Sequence, residues 1–196
     1  MPSLVAPVVA PGTLRDTVQP VLVRDELLLR PFAQEDAADL STAYADPQIR
    51  RWHCRSMTPD EASAWIAERC TRWSSETGID WAVTVDRTLV GRVGLRWLNL
   101  AEGEGEVAYW VTPGARRRSI ASRALDVMTT WCLVDLGLER LELIHSTDNE
   151  GSCRVATRAH FQLEGIKRRG TRHTDGRHDM HLHARVAAAL DRSMSR

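Results

Sequence analysis

Residues Val107 to Leu125 read VAYWVTPGARRRSIASRAL. The apolar, β-prone run Val107 to Thr112 meets a Pro-Gly turn, then three arginines, then small residues that open an amphipathic helix. The first turn of a helix carries N–H groups with no intrahelical partner, and its dipole favours negative charge. Arg116, Arg117 and Arg118 add mobile positive charge at that same point. The combination predicts an anion site, and the ligand that suits it best is a pyrophosphate-bearing cofactor. A solvated charge run is the plainer alternative, but it leaves the placement between strand and helix start unexplained.

The histidines His173, His178, His181 and His183 are the other residues with ligand chemistry. His181 and His183 share a strand face, but no helical i, i+4 pair or nearby cysteine accompanies them, so no metal is expected. Four cysteines (Cys54, Cys70, Cys132, Cys153) show no CxxC spacing and read as buried free thiols in a reducing, cytoplasmic setting. Seven tryptophans stand against two tyrosines and two phenylalanines. Trp65, Trp73, Trp81 and Trp97 read as core or sheet-face residues, whereas Trp52 sits beside arginines in Arg50-Arg51-Trp52-His53-Cys54.

Elements must hold these residues in place. At 196 residues the chain suits one domain with a substantial core. Strands are expected at Leu27 to Phe32, Asp80 to Val85, Leu89 to Leu98, Glu104 to Thr112, Leu141 to Ser146, Gln162 to Arg169 and His178 to Arg185. Helices are expected over 34–45, from the cap Thr58 with Pro59 at the first position to about Ser74, at Ile120 to Leu136 before Gly137, and at Asn149 to His160. The order predicts an α/β domain with a mixed, largely antiparallel sheet flanked by helices, and one parallel pair around Gly105 to Ser146.

Residues 1–24, broken by prolines at 2, 7, 11 and 20, read as a flexible or loosely docked extension, 25–186 as the domain, and 187–196 as a short helical tail. The extension lacks the basic start of a signal peptide, and no apolar run is long enough to span a bilayer. Acidic and basic residues balance at 26 each, so no net field draws the chain to nucleic acid or a membrane surface.

With its elements in that order, the chain resembles the GNAT superfamily of acyl-CoA-dependent N-acyltransferases, and within it the RimJ/RimL-like ribosomal-protein N-acetyltransferases. The resemblance runs from about Leu27 to Arg185 and is carried by GEVAYWVTPGARRRSIASRAL, LGLERLELIHSTDNEGSCRVATRAHFQLEG and DGRHDMHLHA. It implies a GNAT-type fold and acetyl-CoA as cosubstrate, with no metal. Arg116-Arg117-Arg118-Ser119-Ile120-Ala121 occupies the pyrophosphate loop R/Q-x-x-G-x-G/A, with Ser119 in place of its first glycine. Trp110 and Val111 would lie along the pantetheine arm. Asn149 would contact that arm, and Ser152 would lie near the sulfur. Ser152 has a competing role as helix cap, as do Asp148 and Asn149.

The general-acid tyrosine of many relatives falls at Ala156, so its role does not carry over, and the glycine before the aromatic is His160. The resemblance makes Glu106 the candidate base, against a merely solvated or salt-bridged glutamate, and puts Trp52 in the acceptor region, against a loop anchor packed on the core. Glu104, on the same strand face as Glu106, is the second candidate for acceptor binding. The resemblance further implies a primary-amine acceptor: a protein or peptide N-terminus, or a small-molecule amine such as an antibiotic. An α-amine, with a reference pKa of about 8, is easier to supply neutral than a lysine side chain at about 10.4. Transfer is expected to be direct, in a ternary complex, and a homodimer is common among relatives. The departures at Ser119, Ala156 and His160 leave a non-catalytic acyl-CoA-binding or regulatory domain as the alternative.

Overall fold

The computed structural model describes residues 4–188 and has at its centre one eight-stranded sheet in the order β1-β2-β3-β4-β5-β6-β8-β7. The strands are β1 (Leu22–Arg24), β2 (Leu27–Pro31), β3 (Ile79–Val85), β4 (Thr88–Asn99), β5 (Glu104–Val111), β6 (Arg140–Ser146), β7 (Gln162–His173) and β8 (Gly176–Val186). Every pairing is antiparallel except β5 with β6. The mixed α/β architecture expected from the element order is present.

The helices are α1 (Ala37–Ala45), α2 (Pro47–His53), α3 (Pro59–Ser74), α4 (Ile120–Thr130) and α5 (Glu150–Arg158). They cover both faces of the sheet. Leu40, Ile49, Ala62 and Ile66 from α1 to α3 pack with Trp110 and Ala82 on one side. Ile120, Leu125 and Met128 of α4 pack with Val93, Leu95 and Leu141 on the other. The start of α3 is the capping box read from the sequence: Glu61 N–H donates to Thr58 Oγ1 at 3.2 Å, and Thr58 N–H donates to the Glu61 carboxylate at 2.7 Å. After α4 the chain widens into a single π turn (Trp131–Asp135) before Gly137, at φ +83°, ends it.

Two elements carry little or no sequence signal of the kind used above. Strand β1 is only three residues at the sheet edge, too short for an alternation pattern. Helix α2 is a two-turn helix whose start is legible only as Asp-Pro: Asp46 accepts from the N–H groups of Gln48 (3.2 Å) and Ile49 (3.0 Å), with Pro47 at the first position.

The N-terminal segment is packed, contrary to the expectation of a loose extension. Val9 and Leu14 are buried in the main core. The Glu76 carboxylate accepts from the N–H groups of Gly12 and Leu14, both at 2.8 Å. The indole N–H groups of Trp73 and Trp81 donate to the carbonyls of Thr17 and Pro20, each at 2.8 Å. Aromatic donors with no partner of their own inside the core therefore fasten this segment down. Residues 187–188 lie outside any element, and the rest of the expected tail is outside the described residues. A further expectation is corrected: Cys54 and Cys70 are exposed thiols rather than buried ones, while Trp97 is, as expected, a sheet-face residue, half-exposed on β4. Among the described residues no helix is long and apolar enough to cross a membrane.

Candidate active site

The parallel pair β5–β6 is joined at only three register positions, Glu104–Arg140, Gly105–Leu141 and Glu106–Glu142. Beyond Glu106 the two strands separate, while β5 runs on to Val111 and β6 to Ser146. The sheet is thus open in its middle, with polar backbone exposed along the inner edge of β5. Thr112 N–H donates to Val90 O at 2.9 Å, so it faces β4. By the alternation of an antiparallel ladder, Trp110 and Ala108 also face β4, and the N–H groups of Tyr109 and Val111 face the opening. The donors available to an oxyanion or an amide arm are therefore those of Tyr109 and Val111, rather than Trp110 or Thr112. The carbonyl of Tyr109 is taken by His53 Nε2 at 3.1 Å. Burial lowers His53 to a pKa of about 4, so its ring is neutral at physiological pH and Nε2 is the donor.

Two clefts meet at this opening. One, of about 680 Å³, runs from Trp110 and Val111 past Arg117 and Ser119 to Ile120 and Ala121. The other, of about 500 Å³, lies among Arg55, Arg69, Arg92, Arg96 and Arg172. Trp52, His53, Tyr109, Asn149 and Ser152 line both, and so mark their junction.

The first cleft holds the arginine loop between β5 and α4, with both Arg116 and Arg117 in its lining. Arg116 forms an ion pair with Asp46, the cap of α2, and so ties the loop to that helix. Arg117 lines the cleft. Arg118 does not, lying instead near enough to Glu26 to act on its charge. Arg154 and Arg158, one turn apart on α5, supply further cleft charge that the strand–arginine–helix motif does not reveal. Their i, i+4 spacing is the signal that could have found them.

Ser119 has φ +57° and ψ +13°, a left-handed conformation, and Arg117 is left-handed too at φ +61°. The backbone has kept the shape of a glycine loop while the sequence has not, which turns the first turn of α4 toward the cleft. His160, at φ +63°, has likewise kept a glycine-like turn.

At the junction, the competing roles of Ser152 resolve. Asn149 is the cap of α5, accepting from Ser152 N–H at 3.0 Å. The Ser152 hydroxyl is left free to pair with the Tyr109 hydroxyl at 2.6 Å. Sequence alone does not single out Tyr109, which neighbours Trp110 in an apolar strand and has the appearance of core. Burial pushes its phenol well above the usual tyrosine range, so it stays protonated.

The carboxylates fare differently. Glu106 is only 17% exposed and forms an ion pair with Arg96 at 2.5 Å. Arg96 lines the second cleft, whereas Glu106 does not. Glu104 is where β5 and β6 are still paired, five residues before Tyr109 or roughly 17 Å along the strand, so the structure does not bring it to the opening. Behind Arg69 and Arg92 of the arginine-lined cleft, buried Asp80 binds Arg92 Nε at 2.6 Å and lies 3.6 and 3.7 Å from Arg72 and Arg69. One buried carboxylate among three guanidiniums leaves this side of the sheet positive.

The family model described as an acetyltransferase (GNAT) domain matches residues 26–162. The uncharacterized N-acetyltransferase YoaA of Bacillus subtilis (strain 168) is 27% identical over 153 residues, which is 76% of this chain and 86% of YoaA. Among solved structures, RimL, a ribosomal L7/L12 alpha-N-protein acetyltransferase in complex with coenzyme A, is 17% identical with a TM-score of 0.81, covering 87% of this chain and 100% of RimL. Mycobacterium smegmatis RimJ in complex with CoA-disulfide is 23% identical with a TM-score of 0.76, covering 90% of each chain.

The left-handed loop gives a test by sign. Glycine placed in ordinary backbone costs about 0.5–1 kcal/mol, but at φ +57° it removes about 1–2 kcal/mol of steric strain. Ser119→Gly is therefore expected to raise the denaturation midpoint, by about 0.5 kcal/mol of stability. A loss of stability in urea melts would show that Ser119 is not held left-handed.

Proposed function

The chain belongs to the GNAT acetyltransferase family, and we propose that it moves an acetyl group from acetyl-CoA directly to the α-amine of an acceptor that also carries acidic groups. The observation that carries the proposal is the junction at Tyr109 and Ser152, between an anion cleft and an arginine-lined cleft. Acetyl-CoA enters from the first. Its pyrophosphate meets the first turn of α4 with Arg117, Arg154 and Arg158, while Arg116 holds the loop against Asp46. Ser119, Ile120 and Ala121 contribute backbone there, and Arg118 contributes only at longer range. The pantetheine amides run along Tyr109 to Val111 as an added strand, with Asn149 beside them and the indole of Trp110 packed behind.

The amine attacks the thioester carbonyl; the developing oxyanion is met by an N–H from the open edge of β5. When the carbon–sulfur bond breaks, the sulfur takes a proton from Ser152 and Ser152 takes one from the Tyr109 phenol. The proton lost by the attacking nitrogen returns through water to the phenol, which burial keeps protonated before and after the step. Ala156 lies one turn beyond Ser152 on the same face of α5, so a phenol reaching across from β5 enters the space a tyrosine at position 156 would fill. Tyr109→Phe is expected to lower kcat about 10²-fold with little change in the acetyl-CoA KM, as loss of a general acid does. An unchanged kcat would remove Tyr109 from the reaction.

The acceptor enters from the arginine side, past Trp52. Positive surroundings lower the pKa of an incoming ammonium group and attract acidic groups beside it. An α-amine then arrives partly neutral and needs little from a base. Glu106 reaches this cleft through Arg96, so it acts as a water-relayed base or as the anchor of Arg96. Glu104 has no role in this reading.

The test is acetyl transfer from acetyl-CoA to matched peptides with free N-termini, one series acidic and one basic after the first residue, followed by mass spectrometry. The acidic series is expected to have the higher kcat/KM by about tenfold, or 1.4 kcal/mol. Arg96→Gln should narrow that gap. Equal rates for both series would overturn the acidic acceptor; no transfer to any amine despite binding of acetyl-CoA would favour a non-catalytic acyl-CoA-binding domain.

A further inference from the structure

Behind the junction, between the sheet and α5, His145, His181, His183 and Cys153 converge. Their potential ligand atoms all lie within 4.8 Å of one another. The placement follows from register. His145 on β6 is directly opposite His181 on β8, and Leu143, two residues back on the same face, is opposite His183. Leu141 and Leu143 belong to the core under α4 and α5, so the three imidazoles face that way, toward Cys153 on α5. The rings are in contact: His145 stacks on His183 at 5.1 Å and meets His181 edge-on at 5.3 Å.

Buried imidazoles satisfy both ring nitrogens in the ordinary case. Here they do not. His145, 6% exposed, donates from Nδ1 to Ser146 O at 2.8 Å, which leaves a lone pair on Nε2 with no partner. His181 Nδ1 also lacks one. Neither nitrogen of His183, 1% exposed, has a well-formed hydrogen bond, and the backbone of Phe161 gives it only a weak polar contact. No carboxylate belongs to the cluster. A cation satisfies several inward lone pairs together, whereas a water donates to two at most.

We propose that these four residues form a tetrahedral N3S site for a zinc-class transition-metal ion. Three imidazoles and a thiolate are borderline-soft donors of the set that selects zinc. Bonds of about 2.0 Å to nitrogen and 2.3 Å to sulfur place tetrahedral ligands roughly 3.3–3.5 Å apart, so the cluster need tighten by little more than 1 Å. The His145 Nδ1–H bond to a backbone carbonyl is the outer hydrogen bond that fixes a metal-binding tautomer. The ion has a route in, because His145 and Ser146 line the arginine-side cleft. With four protein ligands the site is closed, so the ion is structural and pins the first turn of α5, which carries Asn149 and Ser152, to β6 and β8.

The proposal departs from the expectation of no metal, and the distances along the chain explain why sequence does not suggest it. His181 and His183 share a face, but His145 is 36 residues earlier and Cys153 is on a helix that only the fold brings over them. His173 and His178, grouped with them in sequence, stack on each other at 4.3 Å in a separate place beside Trp52.

The experiment is a cobalt titration of the reduced, chelator-stripped full chain under anaerobic conditions. The proposal expects saturation at one ion per chain, intense visible absorption from tetrahedral cobalt, and a thiolate-to-cobalt charge-transfer band that zinc abolishes. Cys153→Ser should keep visible absorption but lose the charge-transfer band. Cys54→Ser, whose thiol lies 3.5 Å from His173 Nδ1, should change nothing. No saturable spectrum with the wild-type chain would overturn the proposal, as would a charge-transfer band that survives Cys153→Ser. Both readouts are independent of acetyl transfer, so failure here leaves the proposed activity standing.

Discussion

The parting of β5 from β6 is the constraint on which the rest of the structure depends. Two parallel strands that stay paired for only three positions leave backbone donors inside a domain, where unpaired groups are costly. His53 answers the neighbouring acceptor by donating to the Tyr109 carbonyl. The inner N–H groups of β5 are left for a ligand that can offer amide carbonyls and a developing oxyanion. The opening is also where the two clefts share Trp52, His53, Tyr109, Asn149 and Ser152.

Helix α5 completes the opening from the other side. Because Asn149 caps it, Ser152 is spared from capping and can pair with Tyr109. The same helix gives Arg154 and Arg158 to the anion cleft and Cys153 to the histidine cluster. In the proposed reaction one helix thus serves cofactor charge, proton supply and a candidate metal site, so its position against β6 and β8 matters to all three.

How much of this is legible in the sequence follows from range. Local signals are sound: the Thr58–Glu61 capping box, the strand–arginine–helix unit and the glycine that ends the turn after α4 all depend on close neighbours. What the sequence does not supply are pairings across the fold. Tyr109 has the appearance of core because its partner, Ser152, is 43 residues away. Glu104 shares a face with Glu106, and its distance along β5 from the point where the strands part is legible only in the β5–β6 register. The N-terminal segment reads as unstructured because its prolines hide the fact that Glu76 and two indoles hold its backbone. The arginine triplet falls where the sequence puts it, but which arginine faces the cleft depends on Asp46 and Glu26, neither of which is near it in the chain.

The central claim is that the inner edge of β5 waits for an amide-bearing arm, and backbone hydrogen exchange measures it most directly. The amides of Tyr109 and Val111 should exchange quickly in the free protein and slow markedly with saturating acetyl-CoA, while Trp110, already bonded to β4, changes little. Saturating acetyl-CoA that leaves Tyr109 and Val111 as exchangeable as before would contradict the account.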